Sequence, residues 1–205
     1  MINGIERVGV YGGTFAPIHN GHVAAARAFL EQMKLDKLLI IPTYITPHKE
    51  MDVSDNPEHR MKMCELAFRD DSCIEVSDIE IKRGGKSYTV DTIKALCEPD
   101  RKLFLMCGTD MMLSFDRWRD FETIFGLCCP VYVRRENDTT LDSEIIKKNQ
   151  LYYEKYGVAF RKIVVDPMNI NSTDIREAVK NHRDISDRVP AGVADYIQKY
   201  GLYNA

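Results

Sequence analysis

The sequence predicts an α/β fold: a doubly wound parallel sheet with a small C-terminal helical subdomain. Short apolar runs alternate with stretches of helical periodicity, which is the pattern of β-α-β units. The 205 residues are 44% hydrophobic and 29% charged, a length and balance typical of one globular domain with a well-filled core. We expect an α/β core over residues 1–168 and a helical portion over residues 169–205 in the same compact unit.

The first β-α unit has the clearest pattern. Arg7–Tyr11 is an apolar run that predicts a strand, and after a glycine-rich turn apolar residues recur at helical spacing over Asn20–Met33. The pattern predicts further strands at Lys37–Ile41, Cys73–Val76, Ile79–Lys82, Leu103–Cys107, Cys129–Arg134 and Arg161–Val165. It predicts further helices at Pro57–Arg69, Tyr88–Leu96, Asp110–Leu113, Trp118–Phe125, from Ser172, and at Pro190–Tyr200. The polar stretch Glu136–Lys148 is expected to be a loop or an exposed helix.

Charge and cysteine usage exclude several classes of protein. A formal net charge of −3 argues against a broad surface for nucleic acid or anionic membrane. The longest nearly apolar run, Ile124–Val133, is too short to span a bilayer, and the N-terminus has no signal-peptide pattern. The six cysteines lack CxxC or Cys/His ligand spacing, so we expect reduced thiols, no metal site and a cytoplasmic protein.

The most informative segment follows the first predicted strand and reads Gly12-Gly-Thr-Phe-Ala-Pro-Ile-His-Asn-Gly-His22. Gly12 and Gly13 allow a sharp turn and close approach of a ligand to the backbone. Asn20 is expected to cap the next helix, whose free N–H groups favour an anion. His19 and His22 lie three residues apart, so both imidazoles face one side and can donate hydrogen bonds to phosphate oxygens.

A second segment, Ile170-Asn-Ser-Thr-Asp-Ile-Arg176, predicts another helix start. Ser172 and Thr173 are suited to the N-cap, and Arg176 lies one turn later, so hydroxyls, backbone N–H groups and a guanidinium can form a cradle for pyrophosphate. Taken alone, the segment also fits an ordinary capped helix.

Together the two segments resemble the nucleotidyltransferase superfamily with its HxGH motif, and in particular the bacterial nicotinate mononucleotide adenylyltransferases. The resemblance extends over nearly the whole chain and implies a Rossmann-like fold. It implies transfer of the adenylyl group of ATP to nicotinate mononucleotide, giving deamido-NAD and pyrophosphate in NAD biosynthesis, with Mg²⁺ brought by ATP. It assigns catalysis to His19, His22 and Arg176, and ATP binding to Gly12, Gly13, Thr14, Phe15, Gly21, Gly108, Asp110, Ile170, Ser172 and Thr173.

The resemblance also implies a site for the mononucleotide. Thr46-Pro-His-Lys49 is similar to a family loop that reaches the mononucleotide phosphate, and Ser87–Thr92 to a segment whose N–H groups hold the nicotinate carboxylate. The implied contacts are Thr43, His48, Lys49, Tyr88, Thr89, Trp118 and Arg135. Each of these contacts has an alternative interpretation without a ligand. His48 and Lys49 could form a solvated basic turn, and Tyr88 and Thr89 a plain helix N-cap. Trp118 could be a core residue and Arg135 a surface arginine.

Two departures from the family pattern leave alternatives open. Ala16 stands where the family usually has aspartate, which puts the rigidity of the turn and the turnover in question, and Asn171 replaces a serine. The acceptor could instead be nicotinamide mononucleotide or phosphopantetheine, and a weakly catalytic nucleotide sensor is the alternative from another class. A homo-oligomer is also left open.

Overall fold

The computed structural model describes residues 4–45, 56–134 and 141–204. Within these ranges the chain forms a six-stranded sheet in the order β3-β2-β1-β4-β5-β6, with every neighbouring pair parallel. The strands are β1 (Glu6–Gly13), β2 (Lys37–Pro42), β3 (Ile74–Val76), β4 (Arg101–Gly108), β5 (Cys128–Arg134) and β6 (Arg161–Val164). The predicted parallel α/β sheet is confirmed.

Helices cover both faces of the sheet. They are α1 (Asn20–Gln32), α2 (Pro57–Phe68), α3 (Ile79–Arg83), α4 (Thr89–Leu96), α5 (Thr109–Leu113), α6 (Phe121–Leu127), α7 (Asp142–Tyr156), α8 (Ser172–Lys180) and α9 (Ala191–Tyr200). One apolar cluster joins a sheet face to α1, α2, α8 and α9, so the C-terminal helices pack into the core itself. A second cluster joins the other face to α4, α5, α6 and α7. None of the helices in the described ranges is both long and apolar enough to cross a membrane.

The predicted strand at Ile79–Lys82 is wrong, because this segment is helix α3. The alternation Ile-Glu-Ile-Lys fits a strand, but the buried member is Glu80, which is 5% exposed and accepts a hydrogen bond of 2.6 Å from Thr92 on α4. Lys82 forms an ion pair with Asp78 one turn earlier. A tertiary contact of a polar residue therefore overrides the local pattern.

Two other helices differ from the sequence prediction. Helix α7 continues to Tyr156, beyond the predicted polar stretch, because Ile145 and Tyr152 recur two turns apart and are both buried. Helix α6 begins at Phe121 rather than at Trp118, which has extended backbone after a 3-10 turn over Phe115–Arg117.

The sheet topology locates a crevice. The order of the strands reverses between β1 and β4, and ligands of open α/β sheets bind at such a point, beyond the carboxyl ends of the strands. Tyr11 lies opposite Met106 in this register, so the turns after Gly13 and Gly108 emerge side by side. The Gly12-Gly13 turn and Gly108, both predicted to bind ATP, are therefore neighbours at the crevice.

Candidate active site

The turn after β1 ends in a reciprocal cap made by two histidines. The sequence predicts Asn20 as the cap of α1, but the N-cap is His19, whose Nδ1 accepts a hydrogen bond of 3.3 Å from the backbone N–H of His22. The Nδ1 of His22 accepts one of 3.3 Å from the backbone N–H of His19. Asn20 is instead the first helical residue, and its side chain donates to the carbonyl of Asp187. This is the geometry of a capping box, with imidazoles in place of the usual side chains.

The capping bonds fix which ring nitrogen donates. When Nδ1 accepts from a backbone N–H, a neutral imidazole carries its proton on Nε2. The two rings stack with centroids 3.6 Å apart and planes 24° apart, so their Nε2 edges are held as a pair. The helix start consequently presents two oriented imidazole donors beside its own positive dipole end, which suits a phosphate group.

Close packing restricts both rings. His19 is 2% exposed and His22 is half-buried, and the Phe15 and His22 rings are nearly perpendicular with their centroids 5.1 Å apart. A β-carbon at Gly21 would lie 3.2 Å from two atoms of the His19 ring, so the glycine gives the ring its space. The predicted pair of histidines is therefore preorganised by the surrounding chain.

The carbonyls of the turn are held by side chains from distant helices. Arg176 Nη1 donates to the carbonyl of Ala16 at 2.7 Å, and the Ser172 hydroxyl donates to that of Pro17 at 3.0 Å. Arg60 Nη1 donates to the carbonyl of Thr14 at 2.8 Å. The two segments singled out in the sequence thus meet directly, and the contact with Arg176 uses the backbone of Ala16 rather than its side chain.

The start of α8 differs in detail from the sequence prediction. Its N-cap is Asn171, whose side chain accepts from the N–H of Asp174 at 2.8 Å, while Ser172 is the first helical residue. Arg176 Nη2 donates to the Thr173 hydroxyl at 3.3 Å. Ile170, half-buried, packs against the apolar cluster below. Because Asn171 takes over the cap, Ser172 is available to bind the turn.

The end of β4 contributes a second turn to the crevice. Asp110 is exposed in the first turn of α5, and a β-carbon at Gly108 would lie 2.7 Å from its Oδ1. The Thr109 hydroxyl donates to the carbonyl of Val133 and ties this turn to β5. Burial raises the pKa of the Cys107 thiol well above its usual value, so this cysteine is a poor nucleophile at the crevice.

A third group of predicted residues follows β2. The N–H of Thr43 donates to the carbonyl of Gly13 at 2.9 Å, and that of Tyr44 donates to the Ser87 hydroxyl at 2.9 Å. The Thr43 hydroxyl is buried and has no hydrogen-bond partner within the described ranges, so a ligand at this position could satisfy it. His48, Lys49 and Arg135 lie outside the described residues.

The residues predicted to contact the nicotinate ring lie around α4 and α6. Tyr88 is the N-cap residue of α4, Thr89 is its first helical residue, and the Arg119 guanidinium lies 4.4 Å from the centre of the Tyr88 ring. Trp118 is half-buried and stacks on Phe115 with ring centroids 4.5 Å apart. One face of the indole ring is therefore covered by the Phe115 side chain.

Sequence reasoning missed Arg60. Arginine is seldom fully buried in proteins, yet the Arg60 side chain is 0% exposed. It donates hydrogen bonds both to the turn after β1 and to the segment after β2. The sequence around it shows only a charged residue in an ordinary helix, so no local signal marks it.

Comparison with known proteins agrees with this geometry. The family model described as cytidylyltransferase-like matches residues 10–178, which include both histidines and all of the α8 segment up to Ala178. The chain belongs to the cytidylyltransferase-like family. The matched range contains the turn after β1 and the turn after β4, which emerge side by side. It also contains the part of α8 that binds the first of these turns.

Curated relatives match nearly the full length of the chain. Proteins of Thermoanaerobacter sp. (strain X514) and Desulfitobacterium hafniense (strain Y51) are 37% and 36% identical to it, over 96% and 97% of this chain and 94% and 96% of theirs. Both are named "Probable nicotinate-nucleotide adenylyltransferase". The resemblance seen in the two motifs is confirmed.

A solved structure shows the same fold. The Plasmodium falciparum nicotinic acid mononucleotide adenylyltransferase complexed with NaAD superposes with a TM-score of 0.75 over 97% of this chain and 98% of that protein, at 19% identity. The predicted Rossmann-like architecture is thereby confirmed for this cytidylyltransferase-like chain.

Proposed function

We propose that this chain transfers the adenylyl group of ATP to nicotinate mononucleotide, producing deamido-NAD and pyrophosphate. The observation that carries the proposal is the direct contact of the two motifs: Arg176 and Ser172 bind the turn that ends in the stacked pair His19 and His22. The naming of curated relatives at 36–37% identity as nicotinate-nucleotide adenylyltransferases supports it.

The proposed chemistry is one direct displacement. A phosphate oxygen of the mononucleotide forms a bond to the α-phosphorus of ATP, the bond from that phosphorus to the bridging oxygen breaks, and pyrophosphate leaves with the electron pair. In this proposal the charge that develops on the phosphates is stabilised by the Nε2–H groups of His19 and His22 and by the Arg176 guanidinium. Such preorganised donors supply much of the rate enhancement in enzymes of this kind.

We propose that Mg²⁺ enters with ATP. Within the described ranges no group of three His, Cys, Asp or Glu side chains could hold a metal ion, so phosphate oxygens and water would supply most of its ligands, as is usual for Mg²⁺. The bound ion would neutralise charge on the phosphates. The residues of the chain would bind and orient the nucleotide around it.

The mononucleotide half of the site rests on fewer contacts. Thr43 offers a buried hydroxyl, and the start of α4 offers the backbone N–H of Thr89 for the nicotinate carboxylate. The backbone N–H of Tyr88 donates to the carbonyl of Lys86 at 3.1 Å, so Tyr88 would have to give up this bond to bind the carboxylate in the same way. Trp118 is expected to contact the ring with the face that Phe115 leaves uncovered. His48, Lys49 and Arg135 complete the proposal from the sequence alone.

The deciding experiment measures pyrophosphate release with ATP and Mg²⁺, offering nicotinate mononucleotide, nicotinamide mononucleotide and phosphopantetheine in parallel. We expect rapid release with the nicotinate acceptor and little with the others. Pyrophosphate release with a different acceptor would show that the chain uses that acceptor instead of nicotinate mononucleotide. ATP binding without release from any acceptor would favour a nucleotide sensor.

A further inference from the structure

Arg60 joins two segments that are remote in sequence. Its guanidinium donates to the carbonyl of Thr14, 46 positions earlier, at 2.8 Å, and to the carbonyl of Tyr44 at 3.3 Å. The first carbonyl belongs to the turn that leads to His19, and the second follows Thr43. These are the segments to which the proposed function assigns ATP and the mononucleotide.

Full burial makes this arrangement costly unless it is well bonded. The Arg60 side chain is 0% exposed, and a charged group that leaves water loses a large part of its favourable solvation free energy. A planar guanidinium can recover part of this loss by donating to two carbonyls in different directions, which an ammonium group does less well. An apolar side chain of similar length would fill the same space without this cost.

The bond to Thr14 also fixes the orientation of one peptide plane. In a trans peptide the carbonyl of Thr14 and the N–H of Phe15 point in opposite directions. Drawing the carbonyl towards α2 therefore turns that N–H away from α2. Phe15 has a φ of 50°, in the left-handed region that a bulky residue occupies only when its surroundings impose it.

We propose that Arg60 is a positioning residue for adenylyl transfer, which fixes the turn over Thr14–Phe15 relative to the segment at Tyr44 and so sets the separation of the two substrates. Direct displacement depends steeply on that separation, since an error of about 1 Å can cost on the order of a hundredfold in rate. The inference rests on the proposed function and adds a residue to it.

The test compares Arg60→Lys, Arg60→Gln and Arg60→Met with matched changes at Arg69. Arg69 is exposed at the C-terminal end of the same helix and serves as the control position. For each protein we would measure kcat, the KM of each substrate, ATP binding by calorimetry and Tm. We expect the folded Arg60 variants to lose roughly ten- to a hundredfold in kcat while ATP affinity changes much less, and the Arg69 variants to match the wild type.

A rescue experiment separates positioning from general stability. Arg60→Ala leaves space for a free guanidinium ion, and guanidinium at a concentration below that which unfolds the protein should restore part of kcat without changing that of the wild type. Sodium chloride at equal ionic strength is the control. Urea at equal concentration controls for weak denaturation.

The outcomes distinguish this proposal from the function on which it rests. A folded Arg60→Met protein with wild-type kcat would overturn the role of Arg60 and leave the proposed function intact. Loss of the folded state in every Arg60 variant would assign the residue to stability alone and also overturn it. Absence of pyrophosphate release from the wild type would instead remove the proposed function.

Discussion

His19 and His22 each accept the other's backbone N–H through Nδ1, and their rings stack 3.6 Å apart. One pair of side chains thus caps helix α1 and orients two Nε2 donors at its N-terminus. If the proposed function is right, stability and activity depend on the same atoms here, so variants must be chosen to separate the two.

Replacing His22 tests the catalytic half of this relationship. We expect His22→Ala to lower kcat by about two or more decades, the scale of losing a preorganised donor. It should also cost about 1 kcal/mol of stability through the lost hydrogen bond from the His19 N–H. His22→Gln can still reach back to the N-cap, so it should keep a Tm near that of the wild type while kcat stays low. His182→Asn, at an exposed position, is the control. Near wild-type turnover in His22→Ala would refute the role.

Gly21→Ala should disturb the His19 ring specifically. The added β-carbon would lie 3.2 Å from that ring, tight enough to move it, so we expect a lower kcat with a small change in Tm. Gly126→Ala is the matched control, because nothing lies within 4 Å of its β-carbon, and within helix α6 it should stabilise the protein. The expected gain is roughly 0.5–1 kcal/mol in denaturant unfolding. Unchanged kinetics in Gly21→Ala would show that the ring tolerates displacement.

Arg176→Lys tests the guanidinium that joins α8 to the turn. A lysine can make one of the two contacts, to the Ala16 carbonyl or to the Thr173 hydroxyl, but cannot match both at once. We expect kcat/KM for ATP to fall by roughly ten- to a hundredfold, the scale of a lost charge-assisted hydrogen bond. Lys180→Arg, at the exposed end of the same helix, should have wild-type kinetics. Equal activity of Arg176→Lys would mean that charge alone suffices.

Asp116 gives a pH-dependent prediction. Partial burial raises the pKa of its carboxyl. The hydrogen bond and charge of Lys148 on α7, with further hydrogen bonds from the Asp116 backbone and the Tyr152 hydroxyl, together outweigh burial and hold that pKa below its usual value. A carboxyl whose pKa is lower in the folded protein stabilises it above the unfolded pKa of about 4, and this contribution is lost as pH falls through the folded pKa. The Tm difference between wild type and Asp116→Asn should therefore be largest near neutral pH.

The same comparison of Tm values also has an outcome that would contradict the prediction. Below the folded pKa of Asp116 the two proteins should approach the same Tm, because the wild-type carboxyl is then neutral as well. The ion pair is partly exposed, so added salt should also narrow the gap at neutral pH. A gap that is constant with pH would mean that Lys148 does not set the contribution of Asp116.

The sequence by itself determined most of what depends on local order. Apolar runs marked all six strands, and two short motifs marked His19, His22, Ser172 and Arg176, because turn chemistry and helical spacing act over a few residues. It did not determine which residue caps a helix. Asn20 and Ser172 are good caps by type, yet His19 and Asn171 take those positions, since each cap depends on where the preceding chain arrives.

Only the tertiary structure decided the contacts between distant segments. Ile79–Lys82 alternates like a strand but is helical because Glu80 packs on α4, and Arg60 is an ordinary helical arginine until α2 lies beside the turn at Thr14. The bond from Ser172 to Pro17 spans 155 positions, and no local pattern encodes such a distance. The free energy of a buried polar contact depends on which partners the fold brings together, and a single residue's neighbours along the chain do not reveal them.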